Sequence, residues 1–222
     1  MAQAPGPGPR PQIEEGRLIA IVDYGAGNLR SVEKTLERLG HDARLTSDAG
    51  AILEADGVIL PGVGSARGIM GGLRQHGLVE PVREIIERGT PYLGICMGLQ
   101  ALFTVSDEGD EPCLDIIHGR VRRLPAGLKV PHMGWNNVRQ IADNPLWNDI
   151  PDSSYFYFVH SYYVDPMDRT VVIGEAEYGV PFTTAISHRN VMGTQFHPEK
   201  SGKTGLKIYD NFAKLVRGWN SR

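Results

Sequence analysis

The sequence predicts an α/β fold: a mixed, mainly parallel central sheet with helices on both faces and antiparallel strand additions in the C-terminal half. Two observations carry this expectation. In the first half, short and wholly apolar runs alternate with stretches whose apolar residues recur at helical spacing. Strands that read as unbroken hydrophobic runs are buried on both faces, and helices between them make parallel crossovers. In the second half, strand-like runs follow one another through short links, the pattern of antiparallel additions. The 222 residues suit one domain, and no internal repeat or Pro/Gly/Ser-rich linker divides it.

Taken in order, residues 1–16 are rich in Pro, Gly, Ala and Gln, carry no aromatic residue, and read as a disordered tail ahead of a domain spanning 17–222. They lack both the apolar stretch of a signal peptide and the Arg/Ser bias of a transit peptide. Leu18-Ile19-Ala20-Ile21-Val22 is the first buried strand, and a turn over 23–28 follows it. Leu29, Val32, Leu36 and Leu39 mark a helix that Gly40 stops. Strands are expected over 43–46 and 57–60, then an amphipathic helix over 78–88 that buries Val79, Val82, Ile85 and Ile86. Residues 91–95 form another short apolar strand, and 97–105 a further helix. The segments 120–124, 130–139, 154–164, 170–177, 182–187 and 191–196 read as the antiparallel additions. A closing helix over 205–219 presents Leu206, Ile208, Phe212, Leu215, Val216 and Trp219.

Composition removes several function classes. A formal charge of -3 supplies no basic field for nucleic acid. No apolar run approaches the roughly 18 residues of a membrane span. The two cysteines, Cys96 and Cys113, lie in unlike contexts and do not form a disulfide framework, which points to a reducing, cytoplasmic compartment. No Cys/His grouping has metal-ligand spacing, so neither a metal nor another cofactor is expected. His41, His76, His118 and His188 sit in loop-like contexts and read as solvated.

Gly94-Ile95-Cys96-Met97-Gly98 lies between an apolar strand and a helix, the Gly-x-nucleophile-x-Gly arrangement in which a sharp turn strains the nucleophile's backbone. A side chain at either flanking glycine would collide with backbone across the turn. The helix start favours a thiolate at Cys96, and the Met97 N–H faces an oxyanion forming on an attacked carbonyl. Such chemistry needs a base and a group that fixes the base's tautomer. Gln195-Phe196-His197-Pro198-Glu199-Lys200 offers both: in an extended segment His197 and Glu199 project to one side, so the carboxylate holds the imidazole from behind. Taken singly, the first motif also fits a small buried hydrophobe, and the second a strand-end turn with a surface carboxylate. Their combination is what fits the roles of nucleophile, base and orienting acid.

Pro61-Gly62-Val63-Gly64, Gly94-Ile95-Cys96-Met97-Gly98-Leu99-Gln100 and His197-Pro198-Glu199 resemble the class I, or triad, glutamine amidotransferases. Within that class, three stretches are similar to the family of glutaminase subunits of imidazole glycerol phosphate synthase. They are Asp23-Tyr24-Gly25-Ala26-Gly27-Asn28-Leu29, Lys129-Val130-Pro131-His132-Met133-Gly134-Trp135-Asn136 and Phe158-Val159-His160-Ser161-Tyr162-Tyr163. The resemblance runs from about Leu18 to the closing helix. It implies that Cys96 attacks the side-chain amide of L-glutamine, His197 moves the proton and Glu199 orients His197. It further implies an oxyanion strand at Gly62, Val63 and Gly64 acting with Met97, and substrate contacts from Gln100, His160, Ser161 and Tyr162; strand packing alone also suits Tyr162 and Tyr163. The implied partner is a (β/α)8-barrel cyclase in a heterodimer, which uses the ammonia to form imidazole glycerol phosphate and an aminoimidazole carboxamide ribotide. Asn28, Pro131, His132, Met133, Trp135, Asn136 and Lys200 would face it, with Trp135 as an anchor. The oxyanion strand is expected to rest with its peptide turned away until the partner docks. One departure stands out: Ser65-Ala66-Arg67 follows Gly64 where the family pattern has an aromatic near Ala66. A cysteine peptidase, an inactive module on the same sheet and glutaminases serving other pathways are the alternatives, and the stretches over 24–28 and 131–136 weigh against the last.

Overall fold

The computed structural model describes residues 17–25 and 29–219. The tail expected over 1–16 and the partner-facing Asn28 lie outside those residues. The chain begins β1 (Ile19–Val22), α1 (Arg30–Arg38), β2 (Ala43–Thr46), α2 (Ala49–Leu53), β3 (Gly57–Gly62), α3 (Ala66–Gln75), α4 (Val79–Glu87), β4 (Tyr92–Cys96) and α5 (Met97–Gln100). It continues through β5 (Phe103–Ser106), β6 (Glu111–Pro112), β7 (Ile117–Arg123), β8 (His132–Gln140), β9 (Ser154–His160) and β10 (Tyr162–Pro166). β11 (Val172–Glu177), β12 (Pro181–His188), β13 (Val191–Thr194) and α6 (Gly202–Gly218) complete it, with single 3-10 turns at Pro145–Trp147, Arg169–Val171 and Pro198–Lys200. Among the described residues, no helix is long and apolar enough to cross a membrane.

The sheet runs β2-β1-β3-β4-β13-β12-β10-β7-β5-β6, with β11 joined to β12 and the β8–β9 ribbon carried on β11. β1, β3, β4 and β13 are buried at every residue, which is why they read as unbroken apolar runs. Helix α1 turns Val32 and Leu36 inward. A fully buried leucine such as Leu36 is worth roughly 1.5–3 kcal/mol over an exposed one.

The expected mixed, mainly parallel architecture is present, with four local differences. First, β13 is antiparallel only to β12: on its other side it lies parallel to β4, pairing Val191 with Tyr92 and Thr194 with Ile95. Strand order is a tertiary choice that a strand's own residues do not encode. Second, the helix expected over 97–105 ends after one turn, because Phe103-Thr104-Val105 is β-branched and aromatic and joins β7 as β5. Third, α2 and α3 were not anticipated. Asp48 and Ser65 cap them, accepting from Ala51 N at 2.7 Å and Gly68 N at 3.1 Å. Helix α3 is masked in the sequence by Gly68, Gly71 and Gly72, and at Gly72 a Cβ would lie 2.5 Å from the Tyr24 carbonyl oxygen. Fourth, the run expected over 154–164 bends at Ser161 into two strands, β9 paired with β8 and β10 with β7.

Candidate active site

Cys96 ends β4 and caps α5 with φ 53° and ψ -105°, a region that costs an L residue on the order of 1–3 kcal/mol. The corner is closed sterically. A Cβ on Gly98 would sit 1.8 Å from the Leu60 carbonyl oxygen, and one on Gly94 would sit 2.6 Å from that of Gly98. The sharp turn thus leaves Cys96 at the carboxyl end of β4, between β3 and β13. Because α5 is a single turn, the N–H groups at its start, such as that of Met97, act locally rather than through a long helix axis.

The parallel β4–β13 register carries the second half of the site to the first. With Thr194 opposite Ile95, the chain leaves β13 beside Cys96 and delivers His197 three residues after Thr194. Glu199 stands on the 3-10 turn Pro198–Lys200, not in extended chain as the alternation argument assumed. The turn still brings its Oε1 to 2.9 Å from His197 Nδ1. A carboxylate only accepts, so Nδ1 carries a proton and Nε2 is the nitrogen left for proton exchange. Nε2 is buried without a hydrogen-bond partner among the described residues. The backbone is pinned as well: His197 N donates to Tyr157 O at 2.9 Å, and Ser201 Oγ donates to His197 O at 2.6 Å.

Burial alone would push the His197 pKa down. The neighbouring Cys96 side chain, with the hydrogen bond and charge of Glu199, outweighs that and raises it to about 9. Burial would likewise raise the Glu199 pKa, but His197, with Tyr209 Oη donating to Glu199 Oε2 at 3.2 Å, holds it below the usual value. The pair is therefore an imidazolium and a carboxylate at neutral pH.

One cavity of about 360 Å³ is lined by Val63, Gly64, Cys96, Met97, Gln100, Glu108, Pro131, Val159, His160, Ser161, Tyr162 and His197. It gathers all four expected substrate contacts with the nucleophile and the base. His160 is neutral, its pKa lowered to about 3 chiefly by burial, with Nδ1 donating to Tyr162 O at 2.9 Å. Gln100 Nε2 donates to Tyr162 O at 2.9 Å and to Gln195 Oε1 at 3.0 Å, while its Oε1 is buried and unpartnered among the described residues. Val63 N donates to Tyr24 Oη at 3.4 Å, so that N–H is engaged away from the cavity. Ala66, where the aromatic is missing, is buried, and its N–H donates to Glu108 Oε2 at 2.7 Å.

Beside the cavity, the outward residues of the β8–β9 ribbon alternate in register: Met133 opposite Val159 and Trp135 opposite Tyr157. Met133, Trp135, Tyr155 and Val63 are exposed by 62%, 55%, 61% and 42%, a large apolar display for a protein surface. Pro131 and Lys200 are exposed, and Asn136 is half-buried with Nδ2 donating to Glu177 O at 2.9 Å. His132 points the other way. It is buried between Phe158 and Tyr178, and its Nδ1 meets His160 Nε2 at 2.9 Å.

Glu108, Gln195, Tyr209 and Tyr24 escaped the sequence reading. Buried amides and hydroxyls take partners, but nothing in the spacing of these four says which. His41 is not solvated: it is buried, with Nε2 2.9 Å from Asp210 Oδ1 and Nδ1 3.0 Å from an Arg217 nitrogen. Cys113 is buried, and desolvation pushes its thiol up to about 11, so it is no rival nucleophile. A larger cleft, about 810 Å³ between Gly89, Asp115, Arg189 and Trp219, lies at the amino ends of β4 and β13. It holds no nucleophile and base together, and parallel sheets use the opposite end for ligands. Among the described residues, no group of three His, Cys, Asp or Glu could hold a metal ion.

Comparison with known proteins agrees with this geometry. The glutamine amidotransferase class-I family model matches residues 20–215. Imidazole glycerol phosphate synthase subunit HisH of Moorella thermoacetica is 54% identical over 90% of this chain and 96% of its own. The HisH subunit of Dehalococcoides mccartyi strain CBDB1 is 49% identical over 90% and 98%. The crystal structure of a glutamine amidotransferase superposes with a TM-score of 0.70 over 89% of this chain and 98% of that one, at 22% identity.

Proposed function

We infer the reaction from one premise: the chain belongs to the class-I glutamine amidotransferases and, within them, to the family of HisH subunits of imidazole glycerol phosphate synthase. It hydrolyses L-glutamine and works beside a partner subunit of that synthase. The observation that carries the reading is the cavity shared by strained Cys96, His197 and Gln100, where His197 Nε2 and Gln100 Oε1 are buried with no hydrogen-bond partner among the described residues.

In the reading we propose, Cys96 Sγ attacks the amide carbon of glutamine, and its carbonyl electrons move onto oxygen. The N–H groups of Met97 and, after the peptide turns from Tyr24, Val63 stabilise that oxyanion. Imidazolium His197 protonates the leaving nitrogen, the C–N bond breaks, and ammonia departs from a glutamyl thioester. Neutral His197 then takes a proton from water, which attacks the thioester; the C–S bond breaks and glutamate leaves. Glu199 keeps the imidazole's tautomer throughout. Gln100 Oε1 and the Glu108 carboxylate suit the substrate ammonium, while Ser161 and Tyr162 suit its α-carboxylate.

The partner we propose is a (β/α)8-barrel cyclase that takes up the ammonia in a heterodimer. The apolar ribbon face of Met133, Trp135 and Tyr155 meets the cavity mouth at Val159 and suits a docking surface, with the exposed Lys200 suited to pair with an acid across it. Docking there would favour the turned Val63 peptide, making the isolated chain a slow glutaminase. The test measures glutamate release from the chain alone, from the complex, and from the complex with the cyclase's nucleotide ligand. Rates should rise along that series; equal rates would overturn the coupling and leave the triad untouched.

A further inference from the structure

We propose that Gln195 is a positioning residue for the nucleophile, its side-chain amide donating to Cys96 Sγ and holding the sulfur as a thiolate aimed at the cavity. The inference rests on Cys96 being the nucleophile. Gln195 is wholly buried, its Nε2 is 3.6 Å from Cys96 Sγ, and its Oε1 is 3.0 Å from Gln100 Nε2.

The orientation of both amides follows from one group that has no choice. Tyr162 O is a backbone carbonyl and only accepts, so the Gln100 atom 2.9 Å from it is the nitrogen. That nitrogen also contacts the Gln195 amide, and two NH₂ groups cannot satisfy each other there. The Gln195 atom facing it is therefore the oxygen, and the nitrogen is the atom that faces sulfur. A chain of fixed polarity runs from Tyr162 O through Gln100 and Gln195 to Cys96.

This chain differs from His197 in kind. The imidazole must give up its proton during the reaction, whereas an amide N–H does not titrate and supports the thiolate throughout. A hydrogen bond to a charged acceptor is stronger than one to a neutral acceptor, so it favours S⁻ over S–H. It acts again when the thioester C–S bond breaks and the electron pair returns to sulfur. Backbone geometry keeps the donor in place: Gln195 N donates to Thr184 O at 2.7 Å, directly after the β13–β4 pairing of Thr194 with Ile95.

The test is alkylation of Cys96 by iodoacetamide in the full-length chain across pH, read by mass on the Cys96 peptide so that Cys113 does not contribute. Gln195→Met removes the donor at similar volume, and Gln195→Glu keeps the shape but faces sulfur with an acceptor. Thermal melts identify any variant that fails to fold. For Gln195→Met we expect the midpoint of the pH profile to rise by about one unit, so that alkylation at pH values well below the parent's midpoint slows about tenfold while the alkaline plateau is unchanged. Gln195→Glu should move further the same way. Superimposable profiles would overturn the proposal, as would a loss of equal size at every pH, which would mean a packing role only. Because the probe is iodoacetamide, a shifted profile without glutamine turnover would count against the glutaminase reading and not against Gln195.

Discussion

Replacing Glu199 with Gln tests the internal logic of the site most sharply. Glu199 Oε1 accepts from His197 Nδ1 at 2.9 Å, and Oε2 accepts from Tyr209 Oη at 3.2 Å. An amide satisfies both contacts in one orientation only: its oxygen accepts from Nδ1–H, and its NH₂ donates to the Tyr209 hydroxyl, which also accepts. The imidazole tautomer therefore survives, and what is lost is charge. Hydrogen bonds to charged groups contribute about 1.5–3 kcal/mol and neutral ones about 0.5–1.5 kcal/mol, so the loss is about 1–1.5 kcal/mol. That converts to a fall of about 5- to 15-fold in glutamate release. His197→Ala removes proton transfer itself and should cost about 10²- to 10⁴-fold. Glu199→Gln with Tyr209→Phe removes the anchor, lets the amide turn its NH₂ toward Nδ1, and should lose more than the two single changes combined. The assay is glutamate release at saturating glutamine with the partner present. Stability gives a second readout. The His197 pKa is raised, so its contribution is whole below the ordinary 6.5 and fades as pH rises through about 9. The Glu199 pKa is lowered from 4.5, so its contribution holds above that value and is lost at lower pH. The melting difference between parent and Glu199→Gln should thus be largest between about pH 4.5 and 6.5 and shrink toward 9. A Glu199→Gln defect as deep as that of His197→Ala would refute this reasoning.

Other perturbations have equally definite outcomes. Cys96→Ala should abolish glutamate release while fold and partner binding persist, and ammonium should still support the cyclase; substantial residual turnover would remove Cys96 from its role. Gly98→Ala should cost more than about 3 kcal/mol in denaturant unfolding, because its Cβ would lie 1.8 Å from Leu60 O and the elbow backbone must move. Parental stability there would mean that the corner is looser than its contacts. Tyr24→Phe removes the acceptor of the Val63 N–H and should raise glutamate release from the isolated chain about 2- to 10-fold, the weight of one neutral hydrogen bond. An unchanged basal rate would mean that Tyr24 does not hold the strand back.

Much of this site was legible because strong local constraints produce it. Gly94 and Gly98 are dictated by backbone contacts around Cys96, and contacts of that severity leave a short, readable motif. The first strands read clearly because burial on both faces removes polar residues from them. What stayed hidden depends on long-range choices. The parallel docking of β13 on β4 brings His197 to Cys96, yet residues 191–194 would look the same in either direction. Helix α3 was obscured by glycines, one of which makes room for Tyr24. His41 looked like a loop residue because its partners, Asp210 and Arg217, lie on the final helix. The mutual placement of His197 and Glu199 was anticipated for a reason that does not hold, since a 3-10 turn, not strand alternation, joins them. Gln195 and Tyr209 carry no motif that marks their roles, which come from what the fold sets beside them.

The most direct measurement is the covalent state of Cys96 during turnover. Acid quenching of the complex in the presence of glutamine, followed by mass measurement of the Cys96 peptide, should find the added mass of one glutamyl group there. The adduct should accumulate in Glu199→Gln, be missing in Cys96→Ala, and never appear on Cys113. Steady glutamate production with Cys96 unmodified at every quench time and in every variant would contradict the thioester route and the triad built on it.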